Sequence, residues 1–294
     1  MNKFLSTIVF FITALFFVNC NNKNRESSIE VIDSDTIIID ADQYIRFETS
    51  NGNFVIKLYK ETPLHRHNMV KQVKKGFYDG QLFFGVEKNF KIQAGDPNSK
   101  NAKPGVVLGV NQENDTIKGE IDLFKFYHKR GAVGQASLRQ INYSTSQQFY
   151  IITGTKISSS TLKRYEAKIN QSFRKALKDS LTQPYAKEIL EYRDKKYSNK
   201  ISVLNDRLDK ETDKILEGRR PFKYSEKQIE EYATIGGAAS LDGYYTIFGE
   251  IIEGMEIVES ISKVRVDKNS RPISDIKIIK AVLIDNPDST TVIE

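Results

Sequence analysis

Alternating apolar and polar residues on both sides of an Asn-Gly pair constrain the fold of this 294-residue chain more than any other feature. Residues 44–61 read YIRFETSNGNFVIKLYKE, and apolar side chains recur at every second residue on either side of Asn51-Gly52. This period is that of a β-strand with one buried face, and Asn-Gly is a favoured two-residue hairpin turn. The body of the chain is therefore predicted to begin as an antiparallel β-hairpin.

The segment after the hairpin has the start and stop signals of a helix. Thr62 is expected at the N-cap, Pro63 at the first helical position and Gly76 at the C-terminal end. Short apolar stretches broken by Gly, Asn and Asp follow, and they are typical of a closed β structure. A mainly β fold with one early helix is predicted.

Residues 157–233 differ in composition from the rest of the chain. They contain one Gly, two Pro, 18 Lys or Arg and 13 Asp or Glu, so they carry a net +5 of the total +6. Apolar residues recur there at spacings of three and four, which predicts a helical hairpin or three helices, turning near 183–184 and 218–221. The segment is interpreted as a helical insertion into a β domain formed by residues 44–156 and 234–286. A solvated bundle, a lid and a client-binding arm all remain open as its role.

The N-terminus has the pattern of an export signal. Met-Asn-Lys precedes an apolar run at 4–18 that is too short for a comfortable membrane span, and Cys20 follows directly in FFVNC. This arrangement resembles the lipobox of bacterial lipoproteins. Residues 1–19 are predicted to be a lipoprotein signal peptide and residues 20–43 a tether, with Cys20 lipidated in the cell envelope and facing the periplasm rather than the surface. A soluble exported protein with a spare thiol and an uncleaved anchor are the alternatives.

Composition excludes several other classes of function. A single cysteine allows no internal disulfide and no cysteine-based zinc site. His65 and His67 lie two apart on the predicted helix and His128 stands alone, so surface or structural roles are expected and no metal or cofactor is predicted. The mixed surface charge argues against a nucleic-acid partner. The chain is expected to be a monomer.

Five ordered blocks carry a resemblance to a known family. They are GFYDGQLFFGVEKNFKIQAGDP at 76–97, Gly-Glu at 119–120, HKRGAVGQAS at 128–137, SQQFYI at 146–151 and LDGYYTIFGEIIEGMEIV at 241–258. From residue 45 to 284, apart from the insertion, the chain resembles the cyclophilin-type peptidyl-prolyl cis-trans isomerases. The resemblance implies a mainly β fold: a closed eight-stranded antiparallel β-barrel with two capping helices, the second near 253–264, an inserted α-helical subdomain and an outer peptide groove.

The same resemblance implies a substrate site. A pocket for the proline ring would be lined by Phe90, Phe149, Gln135 and Leu241, and the peptide backbone would be bordered by Gln93, Ala136, Ser137, Gln148 and Tyr245. Phe83, Phe84, Lys91 and Tyr150 are further candidate substrate contacts. Judged from the residues alone, aromatic side chains in strands could equally be core residues.

One position departs from the family pattern in a way that bears on catalysis. Gly85 stands where the family has an arginine that donates a hydrogen bond to the prolyl nitrogen, while Gln93 and Phe90 match other catalytic positions. Lys91 or Arg139 could replace that donor, although Lys91 could also be only a solvated charge. The chain is therefore expected to be an isomerase for proline-containing exported or envelope polypeptides with weakened catalysis. The alternatives are a non-catalytic peptide-binding chaperone and a scaffold that works through the insertion.

Overall fold

The computed structural model of this protein describes residues 41–110, 116–137 and 143–287. The strands are β1 (Gln43–Thr49), β2 (Gly52–Leu58), β3 (Gly85–Glu87), β4 (Lys91–Ala94), β5 (Thr116–Lys118), β6 (Ala132–Gln135), β7 (Tyr143–Thr145), β8 (Phe149–Ile152), β9 (Ile247–Glu253) and β10 (Ile278–Ile284). The helices are α1 (Pro63–Lys74), α2 (Ser159–Thr182), α3 (Ala186–Asp194), α4 (Ser198–Glu217), α5 (Glu226–Thr234) and α6 (Met255–Ser262). The predicted signal peptide, Cys20 and Arg139 lie outside the described residues.

Eight of these strands form one antiparallel sheet in the order β10-β1-β2-β9-β6-β8-β4-β3. The sheet curls into a half-barrel, and hydrogen bonds link its two ends. The backbone N–H of Gly80 donates to the carbonyl of Ile278 at 2.8 Å, and that of Phe83 donates to Ile276 at 2.9 Å. The predicted mainly β, eight-stranded antiparallel fold is confirmed. β5 and β7 form a separate two-stranded sheet.

The predicted hairpin is formed by β1 and β2. Its turn is followed by Gly52, whose φ of +122° is a conformation that side chains with a Cβ rarely adopt. Phe47 and Phe54 face each other across the two strands, with ring centroids 5.1 Å apart. These rings begin a core that fills the concave side of the sheet beneath α1 and α6, together with Ile45, Ile56, Met69, Tyr78, Phe83, Val133, Phe149, Phe248, Val258 and Ile261.

Helix α1 begins at Pro63 as predicted, but Thr62 is not the group that caps it. The Thr62 hydroxyl donates to the carbonyl of Tyr59, and its side chain accepts no bond from the helix. The carboxylate of Glu120 instead accepts hydrogen bonds from the backbone N–H groups of Leu64 and His65, both at 3.0 Å. A distant acidic side chain therefore satisfies the first turn of α1, where the helix dipole favours a negative charge.

The Glu120 carboxylate that caps α1 also contacts His65, and His65 contacts Ser144. The three side chains are therefore arranged like the Ser-His-Glu triad of a hydrolase. His65 Nδ1 lies 2.6 Å from Glu120, and its Nε2 lies 3.0 Å from the Ser144 hydroxyl. His65 is fully buried and Ser144 is 3% exposed. Because no substrate can reach a buried serine and the carboxylate already holds two helix amides, this row is structural. Of the two roles expected for His65, surface or structural, the buried position fits the structural one.

The helices α2 to α5 occupy the stretch predicted to be the insertion. The prediction allowed two or three helices, but a break near Lys196, whose φ is +56°, separates α3 from α4. Helices α2 and α4 pack together and are joined by ion pairs from Arg174 to Asp209 and Asp213 and from Lys178 to Asp209. The boundaries of the predicted domains remain a prediction. No helix within the described ranges is both long and apolar enough to span a bilayer.

Replacing Glu120 with alanine tests the cap of α1. We expect Glu120→Ala to lower the free energy of unfolding by about 2–4 kcal/mol, because three N–H groups lose a charged acceptor. Urea denaturation measures the change. Glu61→Ala, an exposed carboxylate beside the same helix end, is the matched control and should change stability by less than about 0.5 kcal/mol. Equal effects of the two substitutions would contradict the assignment of the cap.

Candidate active site

Alternation of side chains on β3 and β4 defines the outer face of the sheet. Gly85 lies directly opposite Gln93, and Glu87 lies opposite Lys91. Val86 and Ile92, the residues between them, pack in the core. Because successive side chains of a strand point to opposite faces, Glu87, Lys91 and Gln93 lie on the outer wall of the half-barrel.

These outer side chains form a row of hydrogen bonds. The ammonium of Lys91 donates to Gln93 Oε1 at 2.8 Å and pairs with Glu87 at 2.7 Å. Gln93 Nε2 in turn donates to Gln148 Oε1 at 2.9 Å. The side chain of Lys91 is only 18% exposed, so it is not a freely solvated charge. The row fixes Gln93, which faces Gly85, and holds the Lys91 cation two residues away on the same face of β4.

An apolar cluster lies next to this row on the same face. Phe90, Leu241 and Tyr245 are partly buried and pack against a cluster that includes Tyr150 and Ile152. The ring of Tyr150 lies next to Gly134, where an added Cβ would be 2.3 Å from the ring. The Lys91 ammonium lies 6.0 Å from the centroid of the Phe90 ring. An apolar cluster with Tyr150 beneath it is therefore adjacent to a hydrogen-bonding cation.

The hydroxyl of Tyr150 belongs to a buried hydrogen-bond network. It lies 2.8 Å from His128 Nε2, and His128 Nδ1 lies 2.7 Å from the carboxylate of Asp242. Burial raises the pKa of Tyr150 well above its usual value, and the neighbouring Tyr245 and Asp242 raise it further. The hydroxyl therefore keeps its proton at neutral pH and is oriented by the histidine.

Two predicted substrate residues belong to the core instead. Phe149 is fully buried, and its ring lies 5.4 Å from both Phe47 and Tyr78. Phe83 is also buried and packs beside Phe54. The burial of both side chains in the core corrects the expectation that they contact substrate. Residue 149 points inward, so the adjacent Tyr150 is the aromatic side chain on the outer face.

Other predicted contacts are less accessible than expected. Gln135 is fully buried: its Nε2 donates to the carbonyl of Thr145, and its Oε1 has no partner among the described residues. Phe84 is buried against the backbone of Gly109. The amide of Ala136 donates to the carbonyl of Gln148, so it is not free for a peptide. Neither Gln135 nor Phe84 lies in an open pocket, which corrects that expectation.

The remaining predicted contacts lie near the row. Gln148 is 1% exposed and reaches the row only through its amide oxygen. Ser137 is partly exposed, and its hydroxyl donates to the carbonyl of Tyr143. Phe90, Lys91, Gln93, Tyr150, Leu241 and Tyr245 are the predicted residues that the structure brings together.

Sequence reasoning missed the roles of His128 and Asp242. Both residues stand within the family-like blocks, but the sequence gives no sign that they meet beside the pocket, because 114 positions separate them. A buried histidine beside a buried aspartate is visible only once the chain is folded. Across the part of the chain that the structure describes, no group of three or more His, Cys, Asp or Glu is placed to hold a metal ion.

The fold and this surface define a β-barrel-type protein with its candidate site on the outer wall. The family model for "Cyclophilin type peptidyl-prolyl cis-trans isomerase/CLD" matches residues 44–167 and 225–283, which is more than half of the chain. The chain belongs to the cyclophilin-type peptidyl-prolyl cis-trans isomerase family. The unmatched residues between these ranges fall within the predicted insertion.

Similar proteins carry the same family name at low identity. The chain is 22% identical over 243 residues to the Arabidopsis thaliana peptidyl-prolyl cis-trans isomerase CYP18-2, covering 82% of this chain and 93% of that one. It is 23% identical over 242 residues to the Schizosaccharomyces pombe isomerase ppi1, covering 82% and 98%. A crystal structure of a Cryptosporidium parvum cyclophilin type peptidyl-prolyl cis-trans isomerase matches with a TM-score of 0.48 at 20% identity, covering 84% of this chain and all of that chain.

Two alanine substitutions separate the core from the site. We expect Phe149→Ala to lower the free energy of unfolding by about 3–5 kcal/mol, because it opens a cavity among fully buried rings. Phe90→Ala should cost about 1 kcal/mol and weaken binding of a proline peptide about tenfold, because it removes a partly exposed apolar contact. Chemical denaturation and NMR titration with a proline peptide measure the two effects. Weaker peptide binding by a folded Phe149 variant, with Phe90→Ala unchanged, would reverse the assignment.

Proposed function

We propose that this protein catalyses prolyl cis-trans isomerisation at the outer-wall site, with Lys91 in place of the family arginine. The observation that supports the proposal is the position of the Lys91 ammonium, which is held 2.8 Å from Gln93 Oε1. Lys91 lies on β4, the strand that pairs with the strand of Gly85. Proline-containing polypeptides are the proposed substrates. Catalysis is proposed to be weaker than an arginine at this position would give.

The chemistry requires only selective binding of a twisted peptide bond. The barrier of about 18–20 kcal/mol arises because rotation removes the conjugation of the C–N bond. As the bond twists, the prolyl nitrogen becomes pyramidal and gains a lone pair that accepts a hydrogen bond. The cluster of Phe90, Leu241 and Tyr245 would hold the proline ring, while Gln93 would hold the peptide backbone. A cation that donates to the nitrogen stabilises the twisted state more than either planar state.

Lys91 has the donor capacity for this role. An ammonium carries three N–H groups, of which Glu87 and Gln93 engage two. The third has no hydrogen-bond partner among the described residues, so it can donate to a bound peptide beside Phe90. Gly85 contributes no side chain, and a Cβ added there would meet the Gln93 Cβ at 3.3 Å. Because Gly85 has no side chain, the space above it stays open to the side chain of Lys91.

A second candidate function is peptide binding without catalysis. The observation that favours it is Gly85 itself, since glycine offers no side-chain donor. Losing one preorganised transition-state donor typically costs about 2–4 kcal/mol, or roughly 30- to 1000-fold in rate. A groove in which Lys91 stays bound to Glu87 would recognise proline segments and leave their isomerisation rate nearly unchanged.

Removing the Lys91 ammonium tests whether it is the catalytic donor. We expect Lys91→Ala to lower kcat/KM for a proline peptide about 30-fold or more, because the twisted state loses its donor. NMR exchange spectroscopy on the soluble chain from Asn21 onward measures this rate. Lys88→Ala removes an exposed lysine from the turn between β3 and β4 and should leave the rate within about twofold, as surface substitutions generally do.

An added arginine completes this test. Gly85→Arg introduced into the Lys91→Ala variant should restore much of the lost rate, because the guanidinium returns a donor to the same face of the sheet. An inactive parent chain that Gly85→Arg activates would reject Lys91 as donor and support peptide binding as the function. Activity that survives Lys91→Ala unchanged would also contradict the proposed mechanism.

We further propose that the chain is exported and anchored by lipid at Cys20 in the cell envelope, where it acts on exported polypeptides. The apolar run at 4–18, followed after Asn19 by the only cysteine of the sequence, supports this proposal. More than one acyl chain at Cys20 would give stable anchoring, whereas a single chain would bind only marginally.

Loss of the cysteine thiol tests the anchor. Cys20→Ser in the full chain should abolish incorporation of labelled palmitate and move the protein from the membrane to the soluble fraction, because serine offers no thiol to acylate. Label incorporation and detergent partitioning measure the two effects. Membrane retention of the serine variant, without label in either form, would show an uncleaved anchor instead.

A further inference from the structure

The helical insertion contributes two side chains to the network beneath the apolar cluster. Tyr224, just before α5, and Tyr232, within α5, both donate their hydroxyls to Asp242 Oδ2, at 2.8 and 2.7 Å. Burial raises the pKa of both tyrosines far above the usual value. Both hydroxyls therefore remain protonated and act as permanent donors to this carboxylate.

Asp242 depends on these donors because it is fully buried. Its Oδ1 accepts the backbone N–H of His128 at 2.9 Å and lies 2.7 Å from the Nδ1 of the same residue. Four hydrogen bonds thus occupy the roughly four lone-pair sites of the carboxylate. A buried carboxylate stripped of two such bonds carries a large desolvation cost and is driven to rearrange.

The network continues from Asp242 to the apolar cluster. His128 Nε2 lies 2.8 Å from the Tyr150 hydroxyl, and the two rings stack at 6.0 Å with an interplanar angle of 13°. Tyr245 meets both rings edge-on, at 6.1 Å from Tyr150 and 6.4 Å from His128. The orientations of Tyr150 and Tyr245 therefore follow the position of His128, which follows Asp242.

Tyr232 is fixed to the barrel by the backbone at the root of the insertion. The amide of Ile157 donates to the carbonyl of Tyr232 at 2.8 Å, and that of Gly237 donates to Thr155 at 3.1 Å. The ring of Tyr232 lies so close to Gly237 that an added Cβ would be 2.5 Å from it. The chain leaves and re-enters the barrel through one tightly bonded junction.

We propose that Tyr224 and Tyr232 are positioning residues of the proline pocket, acting through Asp242 and His128 on Tyr150. This inference rests on the proposed function of the outer-wall site. For the insertion it means that deletion of residues 158–232 would remove two donors from Asp242, so groove activity would fall with it. The insertion is a structural part of the site rather than a separable arm.

Removing both hydroxyls while keeping both rings tests the proposal. In the Tyr224→Phe/Tyr232→Phe variant, KM for a proline peptide should rise about tenfold while kcat changes less than about twofold, because the pocket binds less well and Lys91 is untouched. NMR titration and exchange on the same peptide give the affinity and the rate separately. Ser172→Ala is the matched control, since it breaks the 2.6 Å bond to Tyr244 that also joins the insertion to the barrel.

Spectra of the aromatic rings distinguish a positioning role from a purely structural one. With ¹³C-labelled tyrosine, the Tyr150 and Tyr245 ring signals should shift in the double variant and stay in place in Ser172→Ala. Unchanged ring signals and peptide affinity in the double variant would overturn the proposal, whatever happens to its melting temperature. Should the double variant fail to fold, Tyr224→Phe alone removes one donor and should produce the same shifts at smaller size.

Failure of the proposed function has a different signature. A parent chain that binds the peptide without isomerising it would reject catalysis, and the loss of affinity in the double variant would still support positioning. A parent chain that neither binds nor isomerises the peptide would reject the site as a whole, and the inference would be rejected with it.

Discussion

Alternation of side chains along the short strands of one wall is the constraint on which both the core and the site depend. All four residues of β8 are buried, yet Phe149 and Ile151 pack in the core while Tyr150 and Ile152 pack on the outer face. A shift of one residue would exchange these two sets. Because the inner set fills the largest apolar cluster of the described chain, the free energy of core packing also fixes the phase of the outer set. The positions of the candidate site's side chains are thus specified by residues of the core.

Local sequence patterns predicted the elements whose formation depends on residues close together in the chain. The hairpin followed from alternation across Asn51-Gly52, and the start of α1 followed from Pro63. The phase of β8 did not follow, because the run from Phe149 to Ile152 is apolar on both faces and shows no alternation. Contacts between residues far apart in the chain could not be predicted either. Glu120 caps a helix that begins more than 50 residues earlier, and the donors to Asp242 come from within the insertion.

With Gly85 in place of the family arginine, the donor proposed for the prolyl nitrogen is the ammonium of Lys91. A guanidinium offers five donors in a rigid plane, whereas an ammonium is a compact charge on a flexible stem. The ammonium of Lys91 is shared with Glu87, which lowers its net positive potential. Under the proposed mechanism, part of the charge that would stabilise the prolyl nitrogen is already neutralised. The weakened catalysis proposed above would then arise from the Glu87–Lys91 pair as much as from the missing arginine.

The buried carboxylate of Asp242 limits how the insertion can move. Lifting α5 and the residues just before it away from the barrel would remove two hydroxyl donors from a fully buried charge, at about 1–3 kcal/mol for each unsatisfied group. That cost is a large share of the 5–15 kcal/mol that typically separates folded from unfolded proteins. Motion of the insertion relative to the groove must therefore leave its root in place. Any lid-like movement is confined to α3 and the far ends of α2 and α4, where side chains such as Leu190 are exposed.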